Sequence, residues 1–315
     1  MAGRTLPATL RYPLVAGLVL GALLALFGPA GEPLALRSEH YLWDLGHVGL
    51  GIAMTVGLHW LWPPLSRLRA WQQAAVILGL ALVLGGGSEI LQGLTGRDAS
   101  WRDLTLDVTG AGLALLGRWA ASSRRARRQR VVAALSGGLI VVLLTLPWLA
   151  YREDERTQEQ QFPVLINGES PWEAGRFDTA ERVALATEAG FGERLCLPAG
   201  KRWGGVSLRY FPGDWRGYQA LEYRVFLTGE TSLPVFFRLN DREHLKRGQF
   251  TLDRYNALVT FHPGWNHFRL KLDEVLHTPG GRIMDASEIE HLRWFTAQTL
   301  TEPRCFILDD LRLTR

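Results

Sequence analysis

The stretch VVAALSGGLIVVLLTLPWLA, residues 131–150, is followed directly by the charged, amide-rich stretch YREDERTQEQQ, residues 151–161. The first stretch has the length and apolar character of one helix that crosses a lipid bilayer. The second is too polar to lie in lipid. Together they predict a transmembrane domain over residues 1–150, a linker over residues 151–161 and a soluble domain over residues 162–315.

Four more stretches upstream of residue 131 are apolar enough to be predicted as membrane spans. Unpaired backbone groups are not tolerated in lipid, so each of them is expected to be a helix. They are Tyr12–Gly28, Tyr41–Trp62, Gln72–Leu94 and Asp103–Ala121. The predicted fold class is therefore multidomain: an α-helical transmembrane bundle of about five spans, followed by a soluble domain.

Arginine placement predicts the orientation of this bundle. Residues 1–150 hold 13 arginines, no lysine and seven acidic residues, a net charge of +6. With a cytoplasmic amino terminus, ten of the arginines fall in cytoplasmic segments, as the positive-inside rule requires. Because five is an odd number of spans, the carboxyl-terminal domain is then expected outside the cytoplasm. The first span is expected to be retained rather than cleaved, because Gly28-Pro29-Ala30 is a poor cleavage site.

Polar side chains collect near the outer ends of three predicted spans. Spacings of three or four residues place several of them on shared helix faces. A structural network, a pocket for a polar or lipid headgroup, and an acid–base catalytic site all remain open; four acids beside one histidine also permit a divalent cation. The residues are Asp44, His47, Glu89, Gln92, Arg97, Ser100, Asp103 and Asp107.

Asp44-Leu-Gly-His47, Glu89-Ile-Leu-Gln92 and the segment from Arg97 to Gly110 resemble the VanZ-like family of bacterial membrane proteins. Order and spacing agree over residues 40–118. Leu45 stands where the family usually has Lys, and Asp107 where it usually has Asn, so this cluster is more acidic. The resemblance implies a membrane protein of the bacterial cell envelope, in the plasma membrane, without implying a reaction.

The carboxyl-terminal half alternates short apolar-polar segments with Gly, Pro, Asn and Asp, a pattern typical of antiparallel strands. Their number and spacing predict an all-β sandwich of jelly-roll type. The predicted strands are Val206–Phe211, Leu221–Leu227, Leu233–Asp241, His267–Leu272, Leu292–Ala297 and Cys305–Leu313.

Period-2 alternation assigns basic and aromatic residues of these strands to the side away from the core. If the strands share one sheet, that face carries arginines interrupted by aromatic rings. Arginine forks bind acidic groups, so the face is predicted to hold an anionic or hydroxyl-rich glycan. An ordinary solvated face with Arg–Glu pairs is the alternative. The candidates are Arg209, Arg224, Phe236, Arg238, Asn240, Arg269, Lys271 and Arg293.

Five short motifs resemble carbohydrate-binding jelly-roll modules of the galactose-binding-like type, over about residues 165–315. They are Gly204–Leu208, Gly213–Tyr218, Asp253–Asn256, Pro263–Asn266 and Leu308–Leu313. The resemblance implies glycan binding. It also implies that Asp309 or Asp310 can contribute to a structural calcium site; no other cofactor is expected.

The only two cysteines, Cys196 and Cys305, both lie in the carboxyl-terminal half. An even pair outside the cytoplasm permits one disulfide, whereas the same pair in the cytosol would stay reduced.

The main hypothesis is a bacterial plasma-membrane protein whose outer domain binds a cell-envelope glycan or a lipid-linked sugar. Membrane lipid is the second expected partner, and nucleic acid is not expected. One alternative is a membrane enzyme that acts on a lipid-linked substrate through Glu89, Asp103, Asp107 and His47. A second alternative is a membrane anchor for a β-sandwich that contacts proteins.

Overall fold

The computed structural model describes residues 36–94, 100–123, 125–185, 190–248 and 250–315. The chain divides into two compact units, Met1–Leu149 and Ala150–Arg315.

Four long helices dominate the amino-terminal region that the structure describes. They are α1 (Arg37–Leu61), α2 (Ala70–Leu94), α3 (Trp101–Ala121) and α4 (Arg127–Gln161). Helices α1 and α3 cross at two glycines. A Cβ atom at Gly110 would lie 2.0 Å from the Val48 carbonyl oxygen, and one at Gly51 would lie 2.1 Å from that of Asp107. Only glycine permits this approach, which brings the polar side chains of the two helices together.

Two helices of the described residues are long and apolar enough to cross a membrane, Ala70–Leu91 within α2 and Arg127–Gln161. The predicted count of about five spans is therefore too high for this part of the chain. Asp44 and His47 interrupt α1, while Asp103 and Asp107 interrupt α3, and charged side chains within a span are costly in lipid. The predicted span Tyr12–Gly28 lies outside the described residues.

Helix α4 runs on to Gln161, so residues 151–161, the predicted linker, are helical. The reason is local propensity: this stretch is rich in Glu, Gln and Arg, which are strong helix formers.

Ten strands build the carboxyl-terminal unit, with two short helices, α5 (Arg242–Lys246) and α6 (Leu272–Leu276). One sheet has the order β2-β3-β10-β5-β8, with β1 also paired to β10, and the other has the order β4-β9-β6-β7. The strands are β1 (Val164–Ile166), β2 (Glu181–Ala184), β3 (Phe191–Leu197), β4 (Gly205–Leu208), β5 (Ala220–Leu227), β6 (Leu233–Asp241), β7 (Tyr255–Phe261), β8 (Gly264–Lys271), β9 (Ile289–Phe295) and β10 (Arg304–Thr314).

The antiparallel pairs are nested along the chain: β3 pairs with β10, β4 with β9, β5 with β8, and β6 with β7. This nesting across two sheets is the jelly-roll topology. The predicted jelly-roll sandwich is therefore confirmed, and all six predicted strands are present, five of them with shifted ends. The prediction missed β1, β2, β3 and β7.

The core lies between the two sheets and follows the predicted alternation. In β6, Val235, Phe237 and Leu239 are fully buried, and the Phe237 ring lies 5.5 Å from that of Tyr223 in β5. Burial of such side chains is the main stabilising contribution to a sandwich of this size.

A disulfide joins Cys196 of β3 to Cys305 of β10, which face each other in the strand register. The two cysteines are 109 residues apart in the chain. The disulfide therefore ties together the outermost pair of the nested strands.

A buried ion pair attaches the last turns of α4 to the sandwich. Arg176 is fully buried, and its Nη2 donates to Asp154 Oδ1 at 2.7 Å. Its Nη1 donates to the Leu165 carbonyl oxygen, also at 2.7 Å. Glu173 Oε1 lies 3.9 Å from Nη1.

Glu193 of β3 is a buried carboxyl group whose desolvation outweighs the attraction of the nearby Arg182 and Arg176. It is fully buried, and neither carboxyl oxygen has a hydrogen-bond partner among the described residues. Burial, together with the nearby charge of Glu173, raises the pKa of Glu193 to about 7. The folded protein therefore holds a proton here that the unfolded chain releases at lower pH.

This raised pKa predicts a pH dependence of stability that Glu193→Gln removes. The wild-type free energy of unfolding should fall as the pH rises from about 4.5 to about 7, because only the folded state binds the proton there. The loss should reach about 3 kcal/mol. Hydrogen exchange of β3 amides at pH 5 and pH 8, corrected for intrinsic exchange rates, measures it. Glu193→Gln should gain stability over wild type at pH 8 only, while the exposed Glu181→Gln serves as control; an equal difference at both pH values contradicts the prediction.

Candidate functional site

The four-stranded sheet has one face that points away from the core, called the four-stranded face below. The side chains on this face form three rows that run across the strands. Residues two apart in a strand share a face, so the strand register defines each row. The aromatic row is Gly205, Phe295, Phe236 and Leu258, and the arginine row is Ser207, Arg293, Arg238 and Asn256. The histidine row pairs His291 with Asn240; Arg209 directly follows β4, and Arg254 directly precedes β7.

The aromatic row forms a small stacked platform. The Phe236 and Phe295 rings lie 5.3 Å apart with an interplanar angle of 18°. Trp203, in the loop before β4, lies 6.2 Å from Phe236 and 6.0 Å from Phe295, between ring centroids. It is 49% exposed although it is a large aromatic side chain. Its φ of 62° is in the left-handed region, where a non-glycine residue is uncommon. Such strained positions cluster at ligand-binding sites.

The arginine row places like charges opposite each other. Arg238 of β6 is in register with Arg293 of β9 on one side and with Asn256 of β7 on the other. Among the described residues, no carboxylate lies within the 4.0 Å ion-pair distance of Arg238, Arg254 or Arg293. Like charges directly opposite on paired strands are destabilising. The folded chain therefore carries an uncompensated positive cluster here.

Several polar atoms of this cluster are buried without a partner. Arg238 Nε donates to Asn240 Oδ1 at 3.0 Å. By contrast, the Nε atoms of Arg254 and Arg293 and the Oδ1 atom of Asn256 have no hydrogen-bond partner among the described residues. Buried polar groups are normally satisfied, so such unused donors and acceptors need an explanation.

Besides burial, the positive charge of the arginines lowers the pKa of His291 in the histidine row. Burial and the surrounding Arg238, Arg209, Arg293 and Arg254 lower the pKa of His291 to about 3. Burial, Arg254 and Arg293 lower the pKa of Arg238 to about 10. At neutral pH His291 is therefore an uncharged donor and acceptor within a set of positive guanidinium groups. Within the part of the chain that the structure describes, Arg209 alone of this set has a carboxylate within ion-pair distance, with its Nη2 3.9 Å from Asp178 Oδ2.

The structure divides the eight glycan-binding candidates between two sheets. Five of them belong to the four-stranded face: Arg209, Phe236, Arg238, Asn240 and Arg293.

Arg224, Arg269 and Lys271 lie on β5 and β8 of the other sheet, so the condition that the strands share one sheet is not met. Each of these three is paired with a carboxylate, of Asp309, Glu222 and Glu274 respectively. The predicted alternative of a solvated face with paired charges describes this second sheet. Its arginines Arg224 and Arg269 are neutralised within the protein, whereas Arg238 and Arg293 of the four-stranded face have no carboxylate partner among the described residues.

Several residues of the four-stranded face were not among the sequence candidates, including Trp203, Arg254, Asn256 and His291. His291 was missed because β9 begins at Ile289, three residues before the predicted start. Arg254 and Asn256 were missed with β7, although Tyr255, Ala257, Val259 and Phe261 alternate as a strand requires. Trp203 lies in a loop, where periodicity carries no signal.

A second polar cluster lies in the helical unit. His47 Nδ1 is 3.2 Å from Asp107 Oδ1, and His47 Nε2 is 3.7 Å from Asp103 Oδ2. Glu89 is buried, and its Oε2 accepts a hydrogen bond from the Ser100 backbone N–H at 2.5 Å.

Asp44 completes the described part of this cluster, since its Oδ2 accepts from Arg102 Nη1 at 2.8 Å. The structure thus places Asp44, His47, Glu89, Ser100, Asp103 and Asp107 in hydrogen-bonded or ion-paired contacts. The Gln92 side chain and Arg97 lie outside the described residues. Among the described residues, each of these four acids therefore contacts another residue of the chain.

The residues considered for calcium do not fit a metal site. Asp309 is paired with Arg224, and Asp310 lies 3.4 Å from Arg312. Within the residues that the structure describes, no group of three or more His, Cys, Asp or Glu is arranged to hold a metal ion.

Several solved structures are similar to the β-sandwich. A family 11 carbohydrate-binding module from Clostridium thermocellum, solved with a β-1,3-1,4-mixed-linked tetrasaccharide, is 12% identical with a TM-score of 0.36, over 48% of this chain and 94% of that one. A family 30 carbohydrate-binding module of a cellulosomal cellulase of Clostridium thermocellum is 17% identical with a TM-score of 0.32, over 44% and 82%. An exo-β-agarase is 13% identical with a TM-score of 0.37, over 48% of this chain and 24% of that one.

No protein-family model and no curated protein matches the chain. At these identities and TM-scores, the similar structures assign no function to it. What the structure establishes is a helical amino-terminal region followed by a jelly-roll sandwich of two antiparallel sheets. The resemblance of residues 40–118 to the VanZ-like family stays a prediction.

Proposed function

We propose that this chain is a bacterial plasma-membrane protein whose β-sandwich lies outside the cytoplasm and binds a cell-envelope glycan on the four-stranded face. The observation that carries this proposal is the coincidence, on one face, of an aromatic platform whose Trp203 ring is exposed and of hydrogen-bond donors without a partner among the described residues. A sugar ring presents an apolar C–H face to an aromatic ring and hydroxyl groups around its edge. Trp203, Phe236 and Phe295 supply the rings, and the arginine and histidine rows supply the polar contacts.

Three observations support the membrane part of the proposal. Helix α4 is long and apolar enough to cross a bilayer, and the arginines of residues 1–150 favour a cytoplasmic amino terminus. The disulfide between Cys196 and Cys305 favours an oxidising compartment for the sandwich. The VanZ-like resemblance of residues 40–118 adds a cell-envelope setting.

Removing the ring of Trp203 tests the binding face. Trp203→Asn deletes the indole and retains a residue that tolerates the left-handed backbone at φ 62°. Affinity for the bound glycan should fall about tenfold or more, because a central aromatic of a binding surface commonly contributes about 2 kcal/mol. The purified full-length chain in detergent is first screened against a panel of polysaccharides. The polymers that it binds are then titrated by calorimetry.

Trp172→Asn is the matched control, since Trp172 is also exposed, at 41%, and lies outside the four-stranded face. Its affinity should match wild type. Equal losses in both variants, or no retained polymer with the folded wild-type chain, would contradict the proposed function.

A further inference from the structure

Binding of a neutral sugar does not require the positive cluster on the four-stranded face. Neutral hydroxyl groups are satisfied by amides, hydroxyls and carboxylates as well as by arginine. Here Arg238 and Arg293 lie directly opposite each other, and Arg254 and Arg209 complete the set around His291. Such a set destabilises the folded chain in the absence of a counter-charge.

On the basis of the proposed function, we infer that the glycan is acidic, with an anionic substituent of the sugar bound by the guanidinium groups of Arg238, Arg254 and Arg293. The geometry supports this directly. The Nε atoms of Arg254 and Arg293 are buried and without a partner among the described residues, as is Oδ1 of Asn256. Planar guanidinium groups match carboxylate and phosphate oxygens with paired hydrogen bonds.

The adjacent aromatic row fixes where the sugar ring lies. Arg293 is two residues before Phe295 and Arg238 is two residues after Phe236, so the arginine row borders the aromatic row along both central strands. A sugar ring placed against the exposed Trp203 and the half-buried Phe236 would have its acidic substituent beside Arg238 and Arg293. The Arg293 side chain also donates to the Trp203 carbonyl oxygen at 3.1 Å, which links the two rows.

The other sheet of the same domain supplies an internal comparison. Its exposed arginine Arg269 is paired with Glu222, and Arg224 is paired with Asp309. The chain therefore neutralises these arginines on one sheet, whereas Arg238, Arg254 and Arg293 of the opposite sheet have no carboxylate within ion-pair distance among the described residues. A bound anion is the missing counter-charge of the four-stranded face.

The test uses glycans in matched pairs that differ only in charge. Full-length protein in detergent is titrated with oligogalacturonate and with its carboxyl-reduced form, and with dextran sulfate and dextran. Wild type should bind the acidic member of at least one pair about tenfold more tightly than its neutral partner. The pair that shows the difference distinguishes a carboxylate from a sulfate.

Arg238→Gln and Arg254→Gln should each lower affinity for that acidic glycan about tenfold. Arg269→Gln removes the same charge from the other sheet and should change affinity less than twofold, which separates a site from general charge attraction. The ligand-free melting temperature of Arg238→Gln should not fall, since the substitution removes a like-charge contact.

Each other outcome has a defined meaning. Equal affinity for acidic and neutral members, with loss of binding in Trp203→Asn, would overturn the acidic ligand and retain a glycan-binding face. Equal weakening by Arg269→Gln and Arg238→Gln would also overturn the site. A large fall in the melting temperature of Arg238→Gln with unchanged affinity would assign the cluster a structural role instead.

Discussion

Asp154→Ala is expected to destabilise the β-sandwich by about 3–5 kcal/mol, because a buried guanidinium group then loses its hydrogen-bonded carboxylate and keeps only Glu173, at 3.9 Å. Arg176 and Asp154 are both almost completely inaccessible to solvent, at 0% and 1% exposure. Asp154 accepts hydrogen bonds from both Nε and Nη2 of Arg176. Water cannot replace those bonds at a site that is closed to solvent.

The partner variants separate pairing from packing. Arg176→Met alone leaves the Asp154 carboxylate buried, and it should also be strongly destabilised. Combining Arg176→Met with Asp154→Leu removes both charges and should be less destabilised than either single variant, because an apolar pair of similar volume avoids the desolvation penalty. Hydrogen exchange of sandwich amides in the full-length chain reports the free energy of unfolding.

Glu153→Ala is the matched control for this cycle. Glu153 precedes Asp154 in α4, is 63% exposed, and pairs at 3.5 Å with Arg156 on the surface. Exposed pairs of this kind contribute well under about 1 kcal/mol. A double variant as unstable as the sum of its singles would show that the two side chains do not act as a pair.

Replacement of both Cys196 and Cys305 by serine is expected to lower the free energy of unfolding by about 4 kcal/mol. The disulfide closes a chain segment between residues 109 apart, and loop closure of this length removes much entropy from the unfolded chain. The two strands are also held by backbone hydrogen bonds and by a buried core, so the sandwich should still fold without the bond.

Reduction provides an independent route to the same state. Wild type unfolded in the presence of a thiol reductant should lose about the same free energy as the serine variant, while the variant itself should not respond to reductant. Denaturant titrations of the full-length chain, monitored by hydrogen exchange in β3 and β10, measure both effects. A destabilisation by reductant that persists in the serine variant would show that the effect does not come from the disulfide.

The fold of the sandwich was largely predictable because period-2 alternation reports burial directly. Leu233–Asp241 was predicted with the observed bounds, and its core residues are those that the alternation indicates. Strand β3 was missed because Glu193 occupies an inward position in the strand and breaks the alternation. Strand β2 has only four residues, too few for a periodic signal.

Sheet membership was not predictable in the same way, and this decided the candidate site. Alternation tells which side of a strand meets the core, but not which of two sheets the strand joins. Arg224 and Arg238 have the same pattern in sequence, yet they lie on opposite sheets, and only Arg224 is paired with a carboxylate. Pairing between distant residues such as Asp309 and Arg224 depends on the tertiary fold.

In the helical half, the sequence predicted which polar residues share a helix face but not the number of spans. Asp44 and His47, and likewise Asp103 and Asp107, were correctly expected on shared helix faces, and the structure brings His47 to both acids of α3. The same charged residues were discounted when spans were counted, which is why about five were predicted. Apolar length alone is met by α2 and α4 among the described helices.

The nested strand pairing has a consequence for the order of folding. The innermost pair, β6 and β7, joins residues close in the chain, whereas each further pair encloses all the pairs inside it. Because closing a long loop costs more entropy than closing a short one, pairing is expected to spread outward from the β6–β7 hairpin. That hairpin carries Phe236, Arg238 and Asn256, so the centre of the four-stranded face would be laid down first. The strands that hold the two cysteines would meet last, and the oxidised pair would then mark a chain that has completed its fold.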